Sequence, residues 1–332
     1  MAYRAALVGC GKIGSEFADD PRLQGVYTHA GAYAACGDTE LVAVCDTDRE
    51  KAETCARRWG GSASYTEPVR MLREECPEIV SVCTPDHTHF DLICQAIATP
   101  SVRAVLAEKP LAMELDAARE IERRARERNV LIAVNYSRRY SLGHACLRDR
   151  IRAGHFGEIQ AVSGFYTKGT LHNGTHWYDL ARFLVGEIES VWAQDVKKEN
   201  NDDPTLDVFL RFGNGAAGFL HALDARVYSL FELDIVGTLG RVRIVDSGHW
   251  FEISMAGDSP YYSGYRTLMQ AGKEEGRLED VTLYAVQDLV GCLTSGGQPR
   301  CSAADGVAAL EVGFAIRASA MSGQAVSIRK HE

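Results

Sequence analysis

Positive charge is in short supply in this 332-residue chain: 36 Lys and Arg face 45 Asp and Glu, and the formal net charge is −9. That balance argues against a nucleic-acid surface. The one basic cluster, 119–128, is interleaved with Glu120, Glu122 and Glu127, and reads as a solvated helix face carrying Glu120–Arg124 and Glu122–Arg126 pairs. Long apolar runs are missing as well. The longest, such as 130–134, fall far short of the roughly 20 residues that span a bilayer. The first strand-like run begins at Arg4, too close to Met1 for a secretory leader, so the expected location is the cytoplasm. Ten cysteines are present but none stands in CxxC spacing, and Cys45 and Cys83 lie inside apolar runs. They read as reduced core residues, with neither a disulfide framework nor a metal site. There is also no Pro/Gly/Ser-rich linker, low-complexity tract or internal repeat.

What is present is an ordinary globular composition, 46% hydrophobic, and at roughly 150 residues per domain the length predicts two domains. From residue 4 to 134, β-branched runs (4–8, 40–45, 79–83, 103–107, 130–134) alternate with helical patterns (49–59, 68–75, 88–98, 115–128). This is βαβ syntax and predicts a doubly wound parallel sheet of Rossmann type over residues 1–134. The rhythm then changes. Helices at 142–153 and 175–185, strands at 159–166, 190–196, 206–212, 216–223, 231–236, 240–246 and 250–255, and helices at 281–294 and 303–321 predict a C-terminal α+β domain, 135–332, on a largely antiparallel open sheet. Ser302 and Asp305 supply N-cap signals for the last helix.

Gly9-Cys10-Gly11-Lys12-Ile13-Gly14 is a GxGxxG directly after a strand and opening a helical segment. Glycines there permit the tight turn, let backbone N–H groups approach a pyrophosphate and bring helix against strand. The partner acid is Asp46, ending the second strand, where a carboxylate accepts the ribose hydroxyls of NAD and repels the 2′-phosphate of NADP. Asp48 adds to that repulsion and Arg49 offsets it. Asp46 follows Gly14 by 46 − 14 = 32 residues rather than about 20, so residues 15–28 read as an insertion, either a lid or a surface loop.

Two strand ends carry further chemistry. The third predicted strand runs into Thr84, Pro85 and His89, and the fourth into Glu108-Lys109-Pro110. In a sheet of order 3-2-1-4-5, strands one and four flank the switch point, which puts Lys109 beside the nicotinamide end. Only eight residues are lysines, and an ammonium there stabilises alkoxide character during hydride transfer. In the second half, Lys168, His172, Asn173, His176 and Asp179 surround the start of an apolar helix, with His176 and Asp179 on one face. The helix dipole disfavours an imidazolium there, so His176 reads as a base. A zinc reading of His172, His176 and Asp179 lacks a flanking Cys or an HExxH pattern.

Taken in order, Gly9 to Gly14, Asp46, Thr84-Pro85 with His89, Glu108-Lys109-Pro110, Asn135 with Arg138 and Arg139, and Gly174-x-His176-x-x-Asp179 resemble the Gfo/Idh/MocA oxidoreductases over essentially the whole chain. The resemblance implies NAD held by the Rossmann domain, with Gly9, Gly11, Lys12, Ile13, Gly14, Asp46, Thr84, Pro85, His89, Glu108, Lys109 and Asn135 as cofactor-side residues. It implies Lys109 and His176 as the catalytic pair. Lys109, Arg138, Lys168, His172, Asn173, His176 and Asp179 then meet a sugar, cyclitol or sugar-nucleotide substrate, and the second domain forms a homodimer or homotetramer. Members commonly carry Asp four residues before the histidine, where this chain has His172. A nucleotide-sensing regulator on the same fold and an NADP-dependent reductase are the rival readings.

Overall fold

The structure, a computed structural model, describes residues 2–197 and 202–328, so residues 198–201 and 329–332 of the expected second domain lie outside it. The chain opens with β1 (Tyr3–Val8), α1 (His29–Ala35), β2 (Thr39–Cys45), α2 (Arg49–Trp59), β3 (Ala63–Tyr65), α3 (Pro68–Glu75) and β4 (Ile79–Val82). It continues through α4 (His89–Ala98), β5 (Ala104–Ala107), α5 (Leu115–Arg128), β6 (Leu131–Val134), α6 (Leu142–Arg152), β7 (Ile159–Tyr166), α7 (Gly174–Leu184) and β8 (Ile188–Gln194). Then come β9 (Asp207–Phe212), β10 (Ala217–Ala222), β11 (Glu232–Gly237), β12 (Gly240–Val245), β13 (Trp250–Asp258), β14 (Arg266–Glu275), α8 (Val281–Ser295), α9 (Ala303–Ser322) and β15 (Val326–Ser327).

Two compact units result: Met1–Ser141 with Glu279–Val307, and Leu142–Leu278 with Ala308–Glu332. In the first, a six-stranded sheet of order β3-β2-β1-β4-β5-β6 is parallel throughout. Every residue of β4 and β5 is buried, as strands covered on both faces require. β3 is absent from the sequence reading because it is only three residues, Ala-Ser-Tyr, the middle one exposed and the other two half-buried, without a β-branched run. Its presence corrects the switch-point argument: β1 and β4 flank the reversal, and Lys109 follows β5, one strand further along.

A second correction concerns α8, which the sequence reading gave to the C-terminal domain; it packs on α1, β5 and β6 of the first unit. Right-handed crossovers send the helices before and after the reversal to opposite faces, leaving the α1 side of β5 and β6 uncovered by the local chain. α8 covers it. The start of α9 carries the expected cap, with Asp305 N–H donating to Ser302 Oγ at 3.4 Å and Ser302 N–H to Asp305 Oδ2 at 2.9 Å, while Asp305 Oδ1 meets Arg139 at 3.0 Å. On α5, Glu120 meets Arg124 as its spacing predicts, at 2.7 Å, and Arg123 at the same distance.

No regular helix follows the glycine turn directly. α1 starts at His29, yet its first N–H groups reach back across the insertion: His29 N–H donates to the Ile13 carbonyl at 3.1 Å and Ala30 N–H to that of Gly14 at 3.0 Å. Residues 15–28 are thus looped out of what would otherwise be one helix. With these 14 residues set aside, the Gly14-to-Asp46 spacing falls from 32 to 18, close to the usual value of about 20. The loop is pinned at both ends. Trp59 Nε1–H donates to Ser15 Oγ at 2.8 Å and Arg58 pairs with Asp19 at 2.7 Å, while Val26 N–H donates to Asp280 Oδ1 at 2.7 Å.

The second unit is built on a nine-stranded sheet, β14-β13-β12-β11-β7-β10-β9-β8-β15, antiparallel except for β7 beside β10. Strict alternation of buried and half-buried residues in β11 and β12 gives the sheet one core face. Leu147 and Ile151 of α6, Trp177 and Tyr178 of α7 and Val312 and Ile316 of α9 pack on it. β14 escapes sequence reading because it is a largely exposed ten-residue strand without an apolar alternation.

Candidate active site

The first unit builds a nucleotide-binding turn. Gly9 has φ +96° and a Cβ there would stand 2.6 Å from the Cys83 carbonyl oxygen, while a Cβ on Gly14 would stand 2.0 Å from the Gly9 carbonyl oxygen. Both positions therefore require glycine for the turn itself. Gly11 differs, since a Cβ there would meet nothing within 4 Å and would project into open space. That is the approach a pyrophosphate needs, and the residues present fit one. The Asp46 carboxylate accepts Cys10 N–H at 2.8 Å through one oxygen and Asp48 N–H at 2.9 Å through the other, which fixes it at the edge of the turn. Asp48 is occupied separately as the N-cap of α2, accepting Glu50 N–H at 2.9 Å.

Strand-end hydrogen bonds then align the next three segments. Cys83 N–H donates to the Val8 carbonyl, Glu108 N–H to that of Val82 and Asn135 N–H to that of Ala107, at 2.8, 3.0 and 2.8 Å. Thr84 and Pro85 follow β4 at the reversal itself. His89 is fully buried and both its ring nitrogens are engaged by carbonyl oxygens, Pro110 at 2.7 Å and Thr84 at 2.9 Å. It ties the β4 end to the β5 end. Glu108 is likewise turned inward: its Oε1 accepts Asn135 Nδ2–H at 2.7 Å and lies 3.0 Å from His29 Nε2.

Burial pushes the Glu108 carboxyl up, but the His29 hydrogen bond and charge, Asn135 and the Lys109 ammonium together hold it below the usual carboxylate range. For Lys109, half-buried, burial pushes the ammonium down, and the Glu108 and Asp86 carboxylates only partly oppose it. Asn135 Oδ1 is buried with no partner among the described residues. Arg139 is structural, donating to the Arg300 carbonyl at 3.1 Å besides its pairing with Asp305, and Arg138 beside it is half-buried.

In the second unit a wide helical turn, Gly169–Asn173, leads into α7. Lys168 precedes it with φ +66° and is exposed, as is His172; Asn173 and His176 are half-buried and Asp179 is buried. Asn173 Nδ2–H donates to the Thr167 carbonyl at 2.9 Å. The glycine of the Gly174-x-His176 motif has a packing reason, because a Cβ there would lie 2.6 Å from the Tyr178 hydroxyl. Asp203 is the residue that sequence reasoning missed. Its carboxylate accepts Leu171 N–H and His172 N–H, both at 2.8 Å, so it holds the turn that presents the histidines. Some 30 residues away along the chain, it gives no local signal. Among the described residues no group of three or more His, Cys, Asp or Glu side chains is arranged to hold a metal ion.

Comparison with known proteins identifies this arrangement. Residues 3–136 match the oxidoreductase family with an NAD-binding Rossmann fold, and residues 144–243 match the GFO/IDH/MocA C-terminal domain. The chain is 26% identical to the scyllo-inositol 2-dehydrogenase (NAD(+)) of Bacillus subtilis, over 98% of this chain and 96% of that one. It is 28% identical to the D-glucoside 3-dehydrogenase of Escherichia coli over 59% of this chain and 58% of that protein. An NAD-binding oxidoreductase from Klebsiella pneumoniae, 22% identical, shares the fold over the whole of both chains with a TM-score of 0.82. The protein belongs to the Gfo/Idh/MocA family of NAD-binding oxidoreductases.

Proposed function

We propose that this protein is an NAD-dependent dehydrogenase or ketoreductase acting on a secondary alcohol or ketone carbon of a sugar, cyclitol or sugar nucleotide. The observation that carries the reading is Lys109, a half-buried ammonium beside the carboxylate of Glu108, at the end of the strand next to the reversal that ends in Thr84 and Pro85. In this reading the first unit is the dinucleotide domain, with Gly9, Gly11, Lys12, Ile13 and Gly14 around the pyrophosphate and Asp46 on the ribose. The nicotinamide supplies hydride exchange with the substrate carbon. Lys109 stabilises the oxyanion, and His176 removes or returns the hydroxyl proton. Arg138, Lys168, His172, Asn173 and Asp179 contact the substrate hydroxyls, His172 as a donor or acceptor and not as the base.

The second unit then serves substrate binding and assembly into a homodimer or homotetramer. Supporting this is an aromatic stripe on its open sheet face, where Phe209 and Phe219 have ring centroids 5.0 Å apart and Phe165 stacks on His221 at 5.5 Å. Phe219 is 52% exposed and Trp192, paired across strands with Phe209, 39%. Rings that open to water are the kind of surface that a second copy covers. No helix among the described residues is long and apolar enough to cross a membrane, and we place the protein in the cytoplasm.

The relatives' names favour a cyclic polyol, since one acts on an inositol and the other on a glucoside. Asp46 separates NAD from NADP use, because a phosphate dianion would face a carboxylate already fixed by two backbone donors. The unmodified protein is expected to bind NADH more tightly than NADPH, with the preference reduced in Asp46→Ala. Titrations of both cofactors by nicotinamide fluorescence test this; equal or tighter NADPH binding by the unmodified protein contradicts the cofactor assignment.

A further inference from the structure

A buried polar chain runs beneath Lys109, and its anchor is a residue for which the function proposed above has no use. Tyr33 OH lies 2.7 Å from Ser81 Oγ, Ser81 Oγ 2.9 Å from His29 Nδ1, and His29 Nε2 3.0 Å from Glu108 Oε1. Asn135 closes the cluster on the same Glu108 oxygen, and Lys109 N–H approaches the other, Oε2, at 3.3 Å. His29 and Ser81 are fully inaccessible, and His29 and Tyr33 stand one helical turn apart on α1. His29 is also the residue where the chain returns from the 15–28 loop, fastened there by its own N–H to the Ile13 carbonyl.

We infer that His29 is a positioning residue for the reaction: its imidazole clamps the Glu108 carboxylate next to Lys109, so that the end of the inserted loop governs the charge beside the oxyanion-stabilising ammonium. This rests on the reading of Lys109 given above. Glu108 is faced by His29 from α1, Asn135 from the end of β6, Lys109 from its own strand end and the buried thiol of Cys83 from the end of β4; Lys109 is faced in addition by Asp86. Burial works against the carboxylate and the donors outweigh it, so removing the largest donor raises the carboxyl. Glu108 then takes up a proton at higher pH, and Lys109 loses the carboxylate that supports its charge.

Two measurements test this, one of them independent of turnover. The first is chemical denaturation across pH of His29→Ala against the unmodified protein. In the unmodified protein the lowered Glu108 carboxyl contributes stability that is present above the ordinary carboxylate value and lost as pH falls through its folded value. In His29→Ala the raised carboxyl diminishes that contribution, so the destabilisation is expected to grow as pH rises and to be pH-independent in a Glu108→Gln background. The second is kcat for ketone reduction. Without the clamp the Glu108 carboxylate is no longer held in place beside Lys109, so His29→Ala is expected to introduce a loss in kcat with NADH affinity nearly unchanged. His29→Gln, which keeps an N–H donor, is expected to remove it. A destabilisation independent of pH, the same with or without the Glu108→Gln substitution, overturns the inference and makes His29 a packing residue. If the stability result holds but turnover survives Lys109→Met, the clamp stands and the assigned role of Lys109 fails.

Discussion

Lys109→Met is expected to lower kcat on the order of 10²- to 10³-fold while NADH binding stays nearly unchanged. Methionine keeps the length of the side chain and removes the charge, and the nucleotide is held chiefly by the glycine turn and Asp46. Burial holds the ammonium below the ordinary lysine range, so the group that must stay protonated gives up its proton as pH rises. The high-pH limb of the oxidation profile therefore lies below that of a solvated lysine and disappears in the variant. Steady-state rates across pH, with NADH affinity by fluorescence, check both parts. A variant keeping more than half its rate would show that Lys109 is a passive strand-end cation.

The glycine turn gives the second large effect, and it divides in two. Gly14→Ala places a methyl group 2.0 Å from the Gly9 carbonyl oxygen, a backbone atom with no freedom to swing aside, and is expected to cost about 3 kcal/mol or more of stability along with nucleotide binding. Gly11→Ala adds the same methyl group to open space. It is expected to fold with a normal Tm but to bind NADH at least about tenfold more weakly, since it fills the pyrophosphate approach. Thermal melts and NADH titrations of both variants separate the outcomes. Undiminished NADH affinity in Gly11→Ala would mean that the open side of the turn is not where the nucleotide lies.

Much of this was legible in the sequence because burial on both faces leaves a strong mark. β5 is a continuous apolar run and β4 is interrupted only by Ser81, and the alternation in β11 and β12 reads directly as one core face. What escaped was decided by distant parts of the chain. β3 is pinned by its neighbour β2 and has no pattern of its own, and missing it displaced Lys109 by one strand in the reading of the sheet. α8 has the same local character wherever it docks; only the bare α1 side of β5 and β6 shows where it belongs. The 15–28 loop was visible as an anomalous spacing, but not that the helix resumes through His29 and Ala30. Glu108, Asn135 and His89 stand out in the sequence as cofactor-side residues, but the engagement of their side chains with His29, Thr84 and Pro110 does not, and Asp203 reaches the histidine turn from outside any motif.

The central claim is that the protein transfers hydride between a nicotinamide and a ring carbon, and initial rates of NADH formation with NAD and a panel of inositols, glucosides and sugar nucleotides test it most directly. At least one cyclic secondary alcohol is predicted to give steady turnover that is lost in both Lys109→Met and His176→Ala. Tight NADH binding with no turnover on any alcohol of the panel, and none in the reverse direction with the corresponding ketones, would contradict the account and favour a nucleotide-sensing regulator on the same fold.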